Sequence, residues 1–482
     1  MRAEARQWLL TVVASAGLLA GCAVGPDYKR PTTTPPEVFR GQTDPAVAAS
    51  LADLPWWEAF GDPTLQGLLQ TALVNNYDLR TAVAQVEQAR ALAAVARGAF
   101  FPSIGYQGDI QRARGGAFGS VFVIPGQPTP TLSSFVGLFT AAWEMDIWGR
   151  IRRQNEAARA QFLGTEEARR GVLLSLTSAV AQAYFELLEL DAQLDIAKRN
   201  TDSFQSTYNL FRRRLEFGVA STLETSRAEG ALGSAAATIP QLESQIAAKE
   251  NEISVLLGRN PGPIPRGTPL FAQAVVPEIP AGLPSALLER RPDLRQAEQQ
   301  LVQANAQVGV AKANFFPQLN LTGFGGGISP DLSAFTHVWS LAAGLTGPIF
   351  QGGQILETYR ANVAAWEQAK SQYEQAVITA FREVSSALTA LEKLVQVEAE
   401  QARAVQAYED SVRTANKRYV GGLANYYEVL EAQQLLFPAE NQLAQVRADR
   451  LFTYVQLYKA LGGGWNLTDA QWSGPQAKSQ EP

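Results

Sequence analysis

The sequence predicts a mainly α-helical chain with a membrane β part, built from one unit used twice. Three observations carry this. An apolar seam runs at helical spacing from Leu173 to Leu215 and returns 204 positions later. Four segments of about ten residues switch from the helical period to strict alternation. A hydrophobic leader ends on the only cysteine of the 482-residue chain.

The seam reads Leu173, Leu176, Val180, Ala183, Leu187, Leu190, Leu194, Ala197, Thr201, Phe204, Tyr208, Phe211 and Leu215. Alternating steps of three and four keep one narrow stripe facing its neighbours along a helix. No proline falls between Gly149 and Ile239. At 1.5 Å per residue, the stretch from Arg150 to Leu215 would be roughly 100 Å long, more than a compact domain can hold. It belongs to a bundle, a rod or a tube. Shifted by 204, the seam repeats from Val377 to Tyr419 and fails only at Glu398 and Gln401. Upstream, Phe100-Phe101-Pro102 recurs as Phe315-Phe316-Pro317, shifted by 215. A unit of this size is too long for a solenoid repeat and reads as a duplicated half-structure.

Residues 1–21 form a secretory signal: Arg2 and Arg6, then an apolar run, then Leu19-Ala20-Gly21 before Cys22. One Cys and one His leave no disulfide framework and no Cys/His metal site within a chain. Acidic residues outnumber basic ones, 46 to 41, without a polybasic patch, so nucleic acid is not an expected partner. No cofactor is expected. Gly325-Gly326-Gly327 is expected as a loop with no helix start behind it, hence no phosphate cradle. His337 is expected in an exposed loop. With neither group, an enzyme is the least favoured class.

In chain order, we expect an extended segment at 22–61, whose first residues resemble a lipobox and so imply a lipid anchor, a first repeat at 62–258, a linker at 259–282, a second repeat at 283–465 and a tail at 466–482. The first repeat holds helices at 64–74 and 78–99, strands at 103–112 and 135–146, and a hairpin of helices at 149–217 and 221–257. The second holds helices at 283–290 and 293–314, strands at 317–325 and 338–347, and a hairpin at 352–419 and 425–461. Asp62 before Pro63 is a helix start, and Asp78 and Asp293 are expected as caps. Pro240 and Pro438 are expected to kink or break the returning helices.

In the strands, Ile104, Tyr106 and Ile110 alternate with Gln107, Asp109 and Gln111. Ten tilted residues cross a bilayer, and aromatic-out, polar-in alternation fits a barrel wall. A soluble hairpin with one buried face has the same pattern. Four strands cannot close a barrel, and an open edge is untenable in lipid. Strands in a membrane therefore require an oligomer, a dimer giving eight strands or a trimer twelve.

The lipobox at Cys22, Trp56-Trp57 followed by Asp62-Pro63-Thr64-Leu65, the Glu289-Arg290-Arg291-Pro292-Asp293-Leu294 run, both Phe-Phe-Pro stops and paired glycine turns come in this order over nearly the whole mature chain. In this the chain resembles the TolC-like outer-membrane efflux factors, most closely the lipoprotein branch serving multidrug (RND-type) pumps. The resemblance implies a homotrimer. Its strands would form a twelve-stranded β-barrel and its long hairpins an α-barrel tunnel through the periplasm. A periplasmic adaptor (membrane-fusion) protein and an inner-membrane transporter would be its partners, with outer-membrane lipid around the barrel. It implies an acylated Cys22, and Ala23 in place of Asp favours the outer membrane. The chain would be the exit duct for small molecules such as drugs and would catalyse no reaction. The rival reading is a periplasmic coiled-coil lipoprotein that binds partners without a pore.

Two turns, Gly218-Val219-Ala220-Ser221 and Gly422-Leu423-Ala424-Asn425, pair a C-cap glycine with an N-cap Ser or Asn. Val219 and Leu423 are apolar at an exposed tip, which favours a contact surface. The resemblance makes these the adaptor-docking tips. Glu428 and Glu431 lie three apart on one helix, the spacing of an ordinary solvated face. The resemblance makes them the acidic lining of a periplasmic gate, with Tyr419 in its latch. Ala424 stands where the family archetype has an Arg, and Arg413, Lys417 or Arg418 are the basic residues nearest to replace it.

Overall fold

The computed structural model describes residues 23–41, 60–114, 131–274 and 284–463. The signal peptide, Cys22, Trp56-Trp57, residues 115–130 of the first strand loop and the tail from 464 lie outside the described residues.

The duplication is exact to the residue in the long elements. Helix α3 (Arg150–Glu216) and helix α7 (Gln354–Val420) have 67 residues each, and α4 (Thr222–Leu256) and α8 (Tyr426–Ala460) have 35 each. Upstream, α1 (Pro63–Asn75) and α2 (Tyr77–Gly98) precede β1 (Ser103–Arg114) and β2 (Thr131–Met145). In the second copy, α5 (Leu287–Arg290) and α6 (Pro292–Ala313) precede β3 (Gln318–Ser329) and β4 (Thr336–Thr346). The chain divides into two units. One comprises Met1–Pro31, Val86–Thr165 and Ala297–Tyr373, and the other Thr32–Gln85, Glu166–Gln296 and Glu374–Pro482.

The first unit carries a four-stranded antiparallel sheet in the order β1-β2-β3-β4. Its register aligns one face across all strands: Tyr106 opposes Phe139, Phe139 opposes Gly325 and Gly325 opposes Trp339. Ile104, Tyr106, Ile110, Phe139, Trp339, Leu341 and Leu345 share one face and are all exposed, so the chain leaves the apolar face of this sheet uncovered. His337 and Gly325-Gly326-Gly327 lie in strands β4 and β3 rather than in loops. Continuous alternation around them keeps the ladder going, and glycine is tolerated there because neighbouring strands approach closely, with Gly326 against Gly137.

The second unit is helical. Its core joins Leu65 and Leu69 of α1 to Val180, Phe185 and Leu187 of α3, Ile253 of α4, Val384 of α7, and Leu451, Val455 and Leu457 of α8. The seam of α3 is buried or half-buried throughout, and so is that of α7. The two polar seam positions are satisfied: Glu398 accepts from Arg447 (2.8 Å) and Arg450 (2.9 Å), and Gln401 donates to the Ala439 carbonyl (3.1 Å).

Three local expectations need correction. Asn76, not Asp78, caps α2, its side chain accepting from Leu79 N at 3.0 Å, because the helix already begins at Tyr77. Helix α6 begins at Pro292, which leaves Asp293 inside the first turn to pair with Arg291. Neither Pro240 nor Pro438 breaks its helix. Each removes one backbone donor, and the rest of a 35-residue ladder holds.

Candidate gate and docking tips

Both tips are built alike. Gly218 (φ 74°) and Gly422 (φ 70°) sit in the left-handed region where a side chain is strained. At each, two backbone bonds close the helix: Val219 N to Arg214 O (2.9 Å) with Gly218 N to Leu215 O (2.9 Å), and Leu423 N to Arg418 O (2.8 Å) with Gly422 N to Tyr419 O (3.1 Å). Ser221 and Asn425 then cap α4 and α8. Val219 and Leu423 are exposed, as are Phe217 and Val420 beside them, while Ala220 and Ala424 are half-buried.

The caps differ in one consequential way. At the first tip, Glu224 folds back and accepts from Ser221 N (2.8 Å) and Ser221 Oγ (3.0 Å), a closed capping box. At the second, Asn425 accepts from Glu428 N (3.3 Å), and the Glu428 carboxylate lies 3.6 Å from Arg418. Glu428 and Glu431 both line an open groove of about 460 Å³ with Asp410 and Arg418. The structure thus brings the two glutamates together with a base.

Tyr419 is held elsewhere. Arg214, in the last turn of α3, donates to its hydroxyl and lies 5.2 Å from its ring centroid. Phe211 packs on Tyr419 (5.8 Å between centroids) and on Tyr426 (4.2 Å). This cluster ties the end of the first hairpin to the start of the second tip. Burial raises the Tyr419 hydroxyl above the usual tyrosine range, opposed by Arg214, and burial pushes Tyr426 up to about 12. Of the bases expected near this site, Arg418 approaches Glu428 and Arg413 pairs with Asp410. Arg214 was not anticipated. Its one signal is that it occupies the position of Arg418 in the first copy, 204 residues earlier.

At a second polar centre, the sequence marks Asp62 as a helix start but not its distant partners Tyr184, Thr268 and Gln273. Asp62 is 0% exposed and uses both carboxylate oxygens. Oδ1 accepts from Thr64 N (2.9 Å) and Leu65 N (3.3 Å). Oδ2 accepts from Tyr184 Oη (2.8 Å), Gln273 Nε2 (2.9 Å) and Thr268 N (3.2 Å). Burial alone would raise its pKa, but the bonds from Gln273, Tyr184 and the α1 backbone outweigh it and hold it below the usual carboxylate range.

Cys22 lies outside the described residues. The residues after it are anchored: Val24 N donates to Trp148 O (2.9 Å), Asn305 Nδ2 to Pro26 O (2.9 Å), and Asp27 pairs with Arg153 (2.6 Å).

A family model described as outer membrane efflux protein matches residues 68–259 and 283–463. The chain belongs to that family. It is 35% identical to the probable efflux pump outer membrane protein TtgC of Pseudomonas putida over 95% of this chain and 96% of that one. It is 32% identical to the cation efflux system protein CusC of Escherichia coli K12, covering 92% and 97%. Among solved structures, the outer-membrane channel OprN matches with a TM-score of 0.85 at 30% identity, covering 92% of this chain and all of that one. The long paired hairpins and the four-stranded sheet are the fold of these channels. The chain is an outer-membrane efflux channel, the exit duct of a tripartite pump.

Proposed function

We propose that three copies assemble into one channel with a twelve-stranded barrel, and that the hairpin tips serve two tasks. Gly218-Val219-Ala220-Ser221 and Gly422-Leu423-Ala424-Asn425 dock a periplasmic adaptor, which links the channel to an inner-membrane transporter. Glu428 and Glu431 line the periplasmic entrance, and Tyr419 latches the second hairpin to the first through Arg214. Acylation of Cys22 anchors the N-terminus to the outer membrane. The cargo is small molecules, selected upstream by the transporter, and the channel itself catalyses nothing.

The observation that carries this reading is the unequal use of two equivalent glutamates. Glu224 is spent on its helix cap, whereas Glu428 is left half-exposed (42% for its side chain) beside Glu431 in an open groove. Repeated in three copies, these carboxylates make a ring that favours cations and resists anions. Glu428→Gln with Glu431→Gln is expected to lower cation selectivity in planar bilayers. Reversal potentials that match the parent channel would remove these residues from the entrance.

A further inference from the structure

The apolar face of the sheet ends in a charged rim. On β2 this face runs from Phe135 through Phe139 and Trp143 to Met145. That is roughly 33 Å along the strand, or about 25 Å in height at the tilt of a membrane barrel, the full apolar band of such a wall. The next residues up on the same face are Ser133 and Thr131, and β1 pairs Arg112 and Arg114 with them. This is the strand end remote from α2 and α3. Both arginines are exposed, and among the described residues neither has a hydrogen-bond or ion-pair partner. Asp109 alternates to the opposite face of β1, where Gln107 donates to it (2.6 Å). The sequence from 115 to 130 contains no acidic residue. Two guanidinium groups thus share one face about 7 Å apart without a counter-charge, an arrangement that calls for an anion from outside the chain.

Lower on the same two strands the face has a notch. Gly108 of β1 pairs with Gly137 of β2. The pair above is Ile110 with Phe135, and the pair below is Tyr106 with Phe139. A Cβ built on Gly108 or Gly137 would meet nothing closer than 4.0 Å, and neither residue has a positive φ. Strand packing therefore demands glycine at neither position. On β3 the row continues to Gly327, where a Cβ would meet Phe335 at 3.0 Å, so Phe335 closes that end. The open notch lies about 13 Å along the strand from Arg112, between walls of four large apolar side chains.

We propose that this face binds a phosphorylated lipid of the outer leaflet, one per chain. Arg112 and Arg114 grip the headgroup phosphate, with the hydroxyls of Ser133 and Thr131 beside them, and one acyl chain lies in the notch at Gly108 and Gly137. Guanidinium groups match phosphate oxygens bidentately. In the notch, methylene groups stand where two side chains are missing and gain dispersion contacts with Tyr106, Phe139, Ile110 and Phe135. The depths agree: one leaflet contributes about 15 Å of hydrocarbon, so a notch this far below the arginines lies among the chains of the lipids whose headgroups meet them. Closing a barrel joins strand edges and leaves this face toward lipid. A free phosphate ion could use the arginines but not the notch, and the presence of both on one pair of strands favours the lipid.

The inference rests on the barrel reading above, and the experiment separates the two. Native mass spectrometry of the detergent-extracted parent first gives the lipid-free oligomer. A monomeric mass overturns the barrel; a trimeric mass that takes up no lipid overturns the site alone. The probe is lipid A, a phosphorylated glycolipid, with phosphatidylethanolamine, which has no net charge, as the reference. The parent is expected to retain lipid A, up to one per chain, roughly ten-fold more than the reference at equal concentration. Arg112→Gln with Arg114→Gln should lower that retention roughly ten-fold. Gly137→Leu keeps both arginines, fills the notch and should lower it roughly three-fold. These positions are on an exposed face, so oligomer mass and circular dichroism should match the parent in both variants. Unchanged retention in the arginine variant overturns the site. Full retention in Gly137→Leu, with displacement of lipid A by excess inorganic phosphate, makes it a site for free phosphate and overturns the lipid.

Discussion

Asp62 and Glu428 are both carboxylates at the start of a helix, and the chain uses them in opposite ways. Asp62 is buried and accepts five hydrogen bonds, two from its own helix and three from Tyr184, Thr268 and Gln273. Glu428 is half-exposed, with its helix capped by Asn425 and one long approach to Arg418. A charge whose every lone pair is engaged specifies structure and has nothing left to offer a permeating ion. A charge with a loose partner contributes little to folding and is free to act on what passes. The helical unit has both kinds, and substitutions can separate them.

The largest effect is expected at Asp62. Asparagine keeps Oδ1 for Thr64 and Leu65 but sets an amide donor against three donors: the Tyr184 hydroxyl, the Thr268 amide and the Gln273 side chain. Leaving buried donors unmatched costs on the order of 3 kcal/mol here. Asp62→Asn should lower the melting temperature of the helical circular-dichroism signal by several degrees or abolish folded yield. Because the folded pKa of Asp62 is depressed, its stabilisation is present above the unfolded value of 3.8 and is lost as pH falls through the folded one. The gap between parent and variant should therefore close in strong acid. A variant that melts with the parent at neutral pH would make Asp62 a mere helix cap.

How much of this was legible in the sequence follows from the range of the interactions. The seams, both glycine turns and the equivalence of the two copies are periodic or local, and the seam of α3 keeps its spacing over thirteen positions with Thr201 as the one polar residue. Asp62 was readable as a cap because Thr64 and Leu65 follow it directly. Its other partners lie 122, 206 and 211 residues away, and no spacing rule reaches that far. Arg214 is 205 residues from Tyr419, and its position in the last turn of α3 made it look like an ordinary cation at a helix C-terminus. Glu398 and Gln401 looked like failures of the seam, although Arg447, Arg450 and the Ala439 carbonyl satisfy them.

An intermediate case sharpens the contrast. Glu189 of α3 is partly buried, its side chain accepting from Gln193 (2.8 Å), with Asp449 and Glu186 as acidic neighbours. Burial first, then Asp449 and Glu186, push it up to about 7. The fold thus favours the protonated form. Its contribution is fully present below the unfolded value of 4.5 and is lost as pH rises through about 7. Glu189→Gln mimics the protonated group at every pH and keeps an acceptor for Gln193. The variant should match the parent near pH 4.5 and exceed it by about 1–2 kcal/mol at pH 8, once solvent screening is allowed for. Melting curves that stay parallel across this range would mean that water or a counter-ion already neutralises the site.

The smallest effects on stability, and the sharpest separation, are expected at the two tips. Glu224 and Glu428 occupy the same position of the same motif, 204 residues apart. Glu224 closes a capping box, so Glu224→Ala removes two hydrogen bonds that hold the start of α4 and should cost about 1 kcal/mol. It should leave ion selectivity as it was, because that carboxylate is already engaged. Glu428→Ala leaves the Asn425 cap intact and should change stability by no more than ~0.5 kcal/mol. It should nevertheless reduce cation preference, since the charge it removes faces the groove. Melting and reversal potential measured on both variants give a crossed pattern if the two copies have divided the labour of one ancestral glutamate. If both variants shift selectivity equally, Glu224 also faces the permeation path, and the difference between Ser221 and Asn425 has no functional meaning.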